Sequence, residues 1–245
     1  MLVDGKKIAE DIIVGLGESM RGKRLGIVVG SQDSATDSFI KIKSRVAARL
    51  GVVVVRGEME ELIKTCDGII VQLPIPNSEA LLAALPQEKD VDALGPAPLV
   101  RAPVAEAIKE VLRLHFGSPR GKIAVLVGAG RLVGAPAAKL LRELGAEVSV
   151  ITQTNGSLEQ LKTADIVVLG AGEPGLIKPD MLKNGVVLID AGTSDAGASA
   201  SRRIAGDADP ACAAVASVFT PVPGGIGPIA VAMIFKNLSD LARRA

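Results

Sequence analysis

A chain of 245 residues with 48% apolar side chains holds one large or two medium domains, each with a packed core. Acidic and basic residues balance to a net charge of +1, which gives no reason to expect a nucleic-acid or anionic-membrane partner. His115 is the only histidine, so a multi-histidine metal site is excluded, and Cys66 and Cys212 are isolated cysteines without metal spacing.

The first residues, Met1-Leu2-Val3-Asp4-Gly5, lack the basic head and apolar core of a secretory signal. Ile8, Ile12, Ile13 and Leu16 then set a helical stripe over residues 6–20. A short strand is expected at 24–29. A helix follows at 34–50, opened by Ser34 or Asp37 and closed by Gly51. Strand 51–55, helix 58–64 and strand 68–72 continue the alternation, which argues for a small parallel sheet flanked by helices. A helix over 103–116 leaves this first set. Strand 122–127 opens a second set, with a helix at 132–144 ending on Gly145 and strands at 146–151, 166–169 and 186–190. Residues 195–201 read as a small-residue loop. A last helix over 227–245 carries an apolar stripe at Ile229, Val231, Ala232, Ile234, Phe235 and Leu238. No apolar run approaches the roughly 20 residues needed to span a bilayer, and the two lone thiols suit a reducing cytoplasm.

Three segments carry chemistry. Residues 220–228, Thr-Pro-Val-Pro-Gly-Gly-Ile-Gly-Pro, are expected to form neither helix nor regular strand. Proline fixes φ and glycine permits close approach, so the segment holds one loop shape, either a ligand contact or a stiff hinge. Strand 122–127 runs into Gly128-Ala129-Gly130-Arg131-Leu132-Val133-Gly134, a glycine turn at a helix start. Such a turn offers unpaired N–H groups to a pyrophosphate, or is an ordinary strand-to-helix turn. After the next strand come Thr152, Gln153 and Thr154, with no acid for a ribose diol. That favours NADP, contacted by Arg131 or Thr154, with NAD as the alternative. Finally, Phe39 and Lys43 lie one helical turn apart on one face. Lys43 by itself reads as a surface lysine.

The segments Leu2-Val3-Asp4-Gly5-Lys6, Val71-Gln72-Leu73-Pro74-Ile75-Pro76, Lys89-Asp90-Val91-Asp92, Val127 to Pro136, Ile189-Asp190-Ala191-Gly192, Gly206-Asp207 and Pro221-Val222-Pro223-Gly224-Gly225 together resemble the bifunctional methylenetetrahydrofolate dehydrogenase/cyclohydrolase family. The resemblance spans nearly the whole chain. It implies an α/β protein of two α/β domains with a cleft between them. Residues 1–112, completed by the helix at 227–245, would form the folate-binding catalytic domain, and 113–226 a Rossmann-like NAD(P)-binding domain. Lys43 would be the catalytic lysine, supported by Gln72, and Asp92 the acid that grips the pteridine. Phe39, Gln72, Leu73, Pro74, Asp92, Pro223, Gly224 and Gly225 would line the substrate. Gly128, Gly130, Arg131, Leu132, Val133, Gly134, Thr154, Gly172 and Thr193 would contact NADP. The implied protein is a cytoplasmic homodimer of one-carbon metabolism that uses no metal. Its chemistry is oxidation of 5,10-methylenetetrahydrofolate and hydrolysis of the methenyl product.

Several positions depart from the pattern. Phe39 replaces a tyrosine, and the chain contains no tyrosine at all. Ala93 and Ala129 stand where the family has glycine and, in NADP-binding forms, arginine; Gln153 stands for a serine. Ala102-Pro103-Val104-Ala105 replaces a more polar segment, and residues 51–67 are shorter than usual. These changes imply a trimmed folate cleft and place the hydrolase step at greater risk than hydride transfer. They also keep open a member that binds nucleotide or folate without turnover. An unrelated shikimate-type dehydrogenase would not require the 221–228 loop. A short-chain dehydrogenase would place a tyrosine and a lysine after the glycine turn.

Overall fold

The computed structural model describes residues 1–30, 34–192, 194–196 and 203–244; the side chains at 34–36, 38–39, 194–196 and 203–204 are outside the description. In chain order the elements are α1 (Gly5–Leu16), β1 (Arg24–Val29), α2 (Ser34–Leu50), β2 (Val53–Arg56), α3 (Met59–Thr65), β3 (Gly68–Gln72), α4 (Ser78–Ala84), α5 (Pro103–His115), β4 (Ile123–Val127), α6 (Gly134–Glu143), β5 (Glu147–Ile151), β6 (Ile166–Leu169), β7 (Val187–Asp190), β8 (Ser194–Ala196), β9 (Arg203–Ala205), β10 (Val218–Thr220) and α7 (Ile226–Ala242). They divide into two compact units. One comprises Ala9–Pro103 with Val231–Ala245, the other Met1–Ile8 with Val104–Ala230.

The first unit is built on a parallel sheet of order β2-β1-β3. Central β1 reads as an unbroken apolar run because both faces are covered, and Leu25 and Ile27 have no exposure. On one side Leu25, Ile70 and Val91 pack with Ala47 and Leu50 of α2 and with Phe235, Leu238 and Leu241 of α7. On the other, Ile69, Val71 and Val28 pack with Leu62 of α3 and Leu82 of α4. Helix α4 was not expected from periodicity. It is only seven residues long and starts after Asn77, which sits at φ 54°.

The second unit carries five parallel strands in the order β10-β7-β6-β4-β5. Their registers end together: Val127 pairs with Ile151 and Leu169, and Leu169 with Asp190. The loops after β4, β5, β6 and β7 therefore leave from one end of the sheet, where α/β sheets bind ligands.

Three expectations are corrected. Residues 1–8 belong to this second unit, not to the first. Val3 N–H donates to Phe219 O at 2.9 Å and Phe219 N–H to Met1 O at 2.9 Å, so the chain start extends the sheet beside β10. Gly5 then lies so close to the 221–225 loop that a Cβ there would collide with Gly225 O. Of the expected loop 195–201, residues 195 and 196 lie in β8, which pairs antiparallel with β9, and 197–201 lie outside the described residues. The unit boundaries also lie at 103 and 230, where 112 and 226 were expected.

Candidate functional site

Helix α2 and strand β3 bring Lys43 and Gln72 together. Lys43 is 9% exposed, while its neighbours Lys41 and Ile42 face solvent. Its Nζ donates to Gln72 Oε1 at 2.6 Å, and Gln72 Nε2 donates to Leu73 O at 3.1 Å. The surface reading of Lys43 is thereby excluded. Burial pushes the ammonium below its ordinary pKa, opposed by the negative charge of Asp92.

Asp92 keeps some solvent contact, yet burial of its carboxyl raises its pKa; Lys43 opposes that shift and Asp90 adds to it. Amine and acid thus each restrain the other's neutralisation. Asp90 itself is 1% exposed and works locally. Its carboxylate accepts from Leu94 N–H at 3.2 Å and Gly95 N–H at 2.8 Å, which curls the chain just after Asp92. Ala93 within that curl sits at φ 55°, a left-handed conformation that suits the glycine expected there. Leu73 packs with the Val28–Ile69 cluster, and its bond to Pro74 is cis. Phe39 lies one turn before Lys43 on α2, but its side chain is outside the described set.

In the other unit, Gly128 follows β4 at φ 100° and Gly134 starts α6. A Cβ on Gly134 would collide with Gly128 O, and one on Gly128 with Gly170 O, so both positions need glycine. Gly130 faces open space, with nothing within 4 Å of where a Cβ would stand. Arg131 and Leu132 beside it are exposed, Val133 is half-buried, and α6 begins two residues later than expected. Thr154 is exposed in the turn after β5, where Thr152 N–H donates to Asn155 O at 2.8 Å. Gly172 is exposed after β6. Thr193 lies outside the described residues. Pro223 is exposed, Gly224 and Gly225 lie beside it, and the bond between Val222 and Pro223 is cis.

Sequence reasoning missed what holds the loop after β6. Asp207, with no exposure, accepts from Ala171 N–H at 2.7 Å, Gly172 N–H at 3.1 Å and Glu173 N–H at 2.8 Å. Asp190, equally buried, accepts from Gly192 N–H at 3.0 Å, Asp207 N–H at 3.3 Å and Ala208 N–H at 2.9 Å. Two adjacent buried carboxylates therefore shape the loops that carry Gly172 and Gly192. Burial and the neighbouring Asp207 push Asp190 up to about 6. An acid closing a long apolar strand, as in Leu188-Ile189-Asp190, was the available signal. Among the described residues no group of three His, Cys, Asp or Glu could hold a metal, and no helix is long and apolar enough to cross a membrane.

Residues 102–245 match the family model of the tetrahydrofolate dehydrogenase/cyclohydrolase NAD(P)-binding domain. The bifunctional protein FolD of Staphylococcus aureus (strain Newman) is 30% identical over 281 residues, covering 99% of this chain and 97% of that protein. Among solved structures, the bifunctional FolD methylenetetrahydrofolate dehydrogenase/cyclohydrolase of Campylobacter jejuni superposes with a TM-score of 0.89 at 27% identity, over 100% of this chain and 99% of its own. The Trypanosoma brucei enzyme, solved with NADP cofactor and an inhibitor, gives a TM-score of 0.91 at 29% identity, over 100% of this chain and 97% of its own.

Proposed function

This chain belongs to the tetrahydrofolate dehydrogenase/cyclohydrolase family, and we propose that it performs both reactions: NADP-dependent oxidation of 5,10-methylenetetrahydrofolate, then hydrolysis of the methenyl cation to 10-formyltetrahydrofolate. The observation that carries this reading is the buried Lys43 amine, bonded to Gln72 and set in the field of Asp92. A lysine held in this way exchanges protons more readily than a solvated one.

The chain's own groups divide the work. Asp92 presents carboxylate oxygens, which suit the adjacent N–H donors of a pteridine. Gln72 fixes the direction of Lys43. In the hydrolytic step water adds to the methenyl carbon and Lys43 takes one of its protons, which leaves to solvent. The carbon–N5 bond then opens, and the remaining water proton ends on N5. Phe39 offers a ring where the family offers a phenol, and no tyrosine elsewhere in the chain can replace the hydroxyl. That absence favours a second reading, in which the dehydrogenase is retained and the cyclohydrolase weakened.

The turn from Gly128 to Gly134 fits a dinucleotide. Its tight glycine contact brings a ten-residue helix to the strand end, and Gly130 leaves the approach open. Gly128, Gly130, Arg131, Leu132, Val133 and Gly134 would hold the pyrophosphate side, with Thr154 and Gly172 on the neighbouring loops. The chemistry the cofactor supplies when bound is acceptance of a hydride. The absence of an acid after β5 supports NADP over NAD.

We assign a homodimer by family likeness, which light scattering on the purified protein tests. A cytoplasmic setting is supported by Cys66 and Cys212, both buried free thiols.

The deciding assay follows methenyl absorbance with methylenetetrahydrofolate and either NADP or NAD. Appearance and then decay of the signal supports both activities. Appearance without decay supports the second reading, and no signal with either cofactor refutes the dehydrogenase.

A further inference from the structure

Asp92 sits on a segment that is fastened at both ends by one side chain. Asn237, on α7 and 4% exposed, donates from Nδ2 to Val91 O at 2.9 Å and to Arg101 O at 2.9 Å. An amide nitrogen has two hydrogens, and both are used on these carbonyls. They lie ten residues apart in sequence and bracket the stretch that contains Asp92. Val91 O belongs to the peptide that joins Val91 to Asp92, so any shift there moves the acid directly.

The surroundings make this placement costly for anything but a specific purpose. Asn237 stands among Ile234, Phe235, Leu238 and Leu241, the apolar face that α7 packs on the sheet. Burying an amide in such a face is unfavourable unless it is bonded. Leucine would suit the apolar face but would leave the carbonyls of Val91 and Arg101 without this donor. Asp90 shapes the same segment from inside, through the N–H groups of Leu94 and Gly95. Segment 91–101 thus has an internal brace and an external clasp, with Asp92 between them.

We infer that Asn237 is a positioning residue for Asp92: its two hydrogen bonds set the acid's place and hence the enzyme's affinity for folate. The inference rests on the reading that Asp92 grips the pteridine.

The test compares wild type, Asn237→Leu, Asn237→Ser and Asn237→Asp as full-length enzymes. Asn237→Leu should fold, raise the KM for methylenetetrahydrofolate at least about fivefold, and leave the NADP KM and kcat within about twofold. Hydrogen exchange at the amides of Leu94 and Gly95 should quicken. Asn237→Ser, which keeps one donor, should fall between and serves if the leucine variant does not fold. The carboxyl introduced by Asn237→Asp has no donor when ionised and one when protonated. That variant should therefore recover folate affinity at pH 6 relative to pH 8, measured against Asn237→Leu at the same pH values. A wild-type folate KM with unchanged exchange overturns the inference. So do equal rises in both KM values, which would mean a general structural role. If wild type itself turns over no folate, the functional reading fails, and the exchange comparison still decides the clasp.

Discussion

Lys43 is a charge placed where a charge is disfavoured, and its chemistry follows from that placement. A hydrogen bond to Gln72 and the field of Asp92 offset the loss of water. Lys43→Met keeps the apolar stem and removes the proton-exchanging amine. Methenyl hydrolysis should fall by about 10²-fold or more, while the variant still folds with a lower melting temperature, because Asp92 and Gln72 Oε1 lose their buried partner. Hydrolysis rate and thermal unfolding on one preparation check both halves; full hydrolysis by the variant would refute the role. Asp92→Asn turns one acceptor into a donor facing the pteridine. The folate KM should rise by a factor equivalent to about 1–3 kcal/mol, with the NADP KM nearly unmoved. Phe39→Tyr restores the family hydroxyl on the same helical face. If that hydroxyl orders water or Lys43, the ratio of hydrolysis to hydride transfer rises several-fold, on the scale of one hydrogen bond worth about 0.5–1.5 kcal/mol. A ratio that stays constant would show that the site has compensated elsewhere.

The informative element is the curl from Asp90 to Gly95, which presents Asp92. Asp90 accepts its backbone N–H groups, and this forces Ala93 to φ 55°. A non-glycine residue there carries about 1 kcal/mol or more of steric cost. Ala93→Gly relieves that cost but loosens the unfolded chain, so stability should rise by no more than about 1 kcal/mol. Ala93→Val adds a branched side chain at the same φ and should lower stability by about 1–2 kcal/mol. Urea unfolding of the two variants measures the difference, and equal stabilities would show that the curl relaxes.

Across the whole molecule, the pH response of folding reports Asp190 of the second unit. Asp190 has a folded-state pKa of about 6, against an ordinary value of 3.8. Between those values the native protein holds a proton that the unfolded chain has released. Its contribution to stability is full below about pH 4 and is lost as pH rises through about 6, with a slope of up to about 1.4 kcal/mol per pH unit. Asp190→Asn cannot titrate, so wild type minus variant should show this negative slope between pH 4 and 6. A flat difference would mean that Asp190 stays ionised throughout.

Local pattern was enough for the strands Arg24–Val29, Gly68–Gln72 and Ile166–Leu169 and for the helix Ser34–Leu50. Their apolar periods, caps and closing glycines act within a few residues, so the signal is written where the structure forms. The glycine turn was legible for the same reason, since Gly128 and Gly134 belong to one strand-turn-helix unit. Other features depend on partners far along the chain. Met1–Val3 reads as a plain chain start until Phe219 supplies its hydrogen bonds. Val218–Thr220 is too short to announce a strand, and its pairing with β7 and with the chain start makes it one. Lys43 sits beside Lys41 in a charged helix, and nothing near it tells the two apart. Only the sheet that carries Gln72 to it and the loop that brings Asp92 near make one lysine buried and leave the other in water. Burial is a property of the packed molecule, so tertiary structure alone decided which cation could do chemistry.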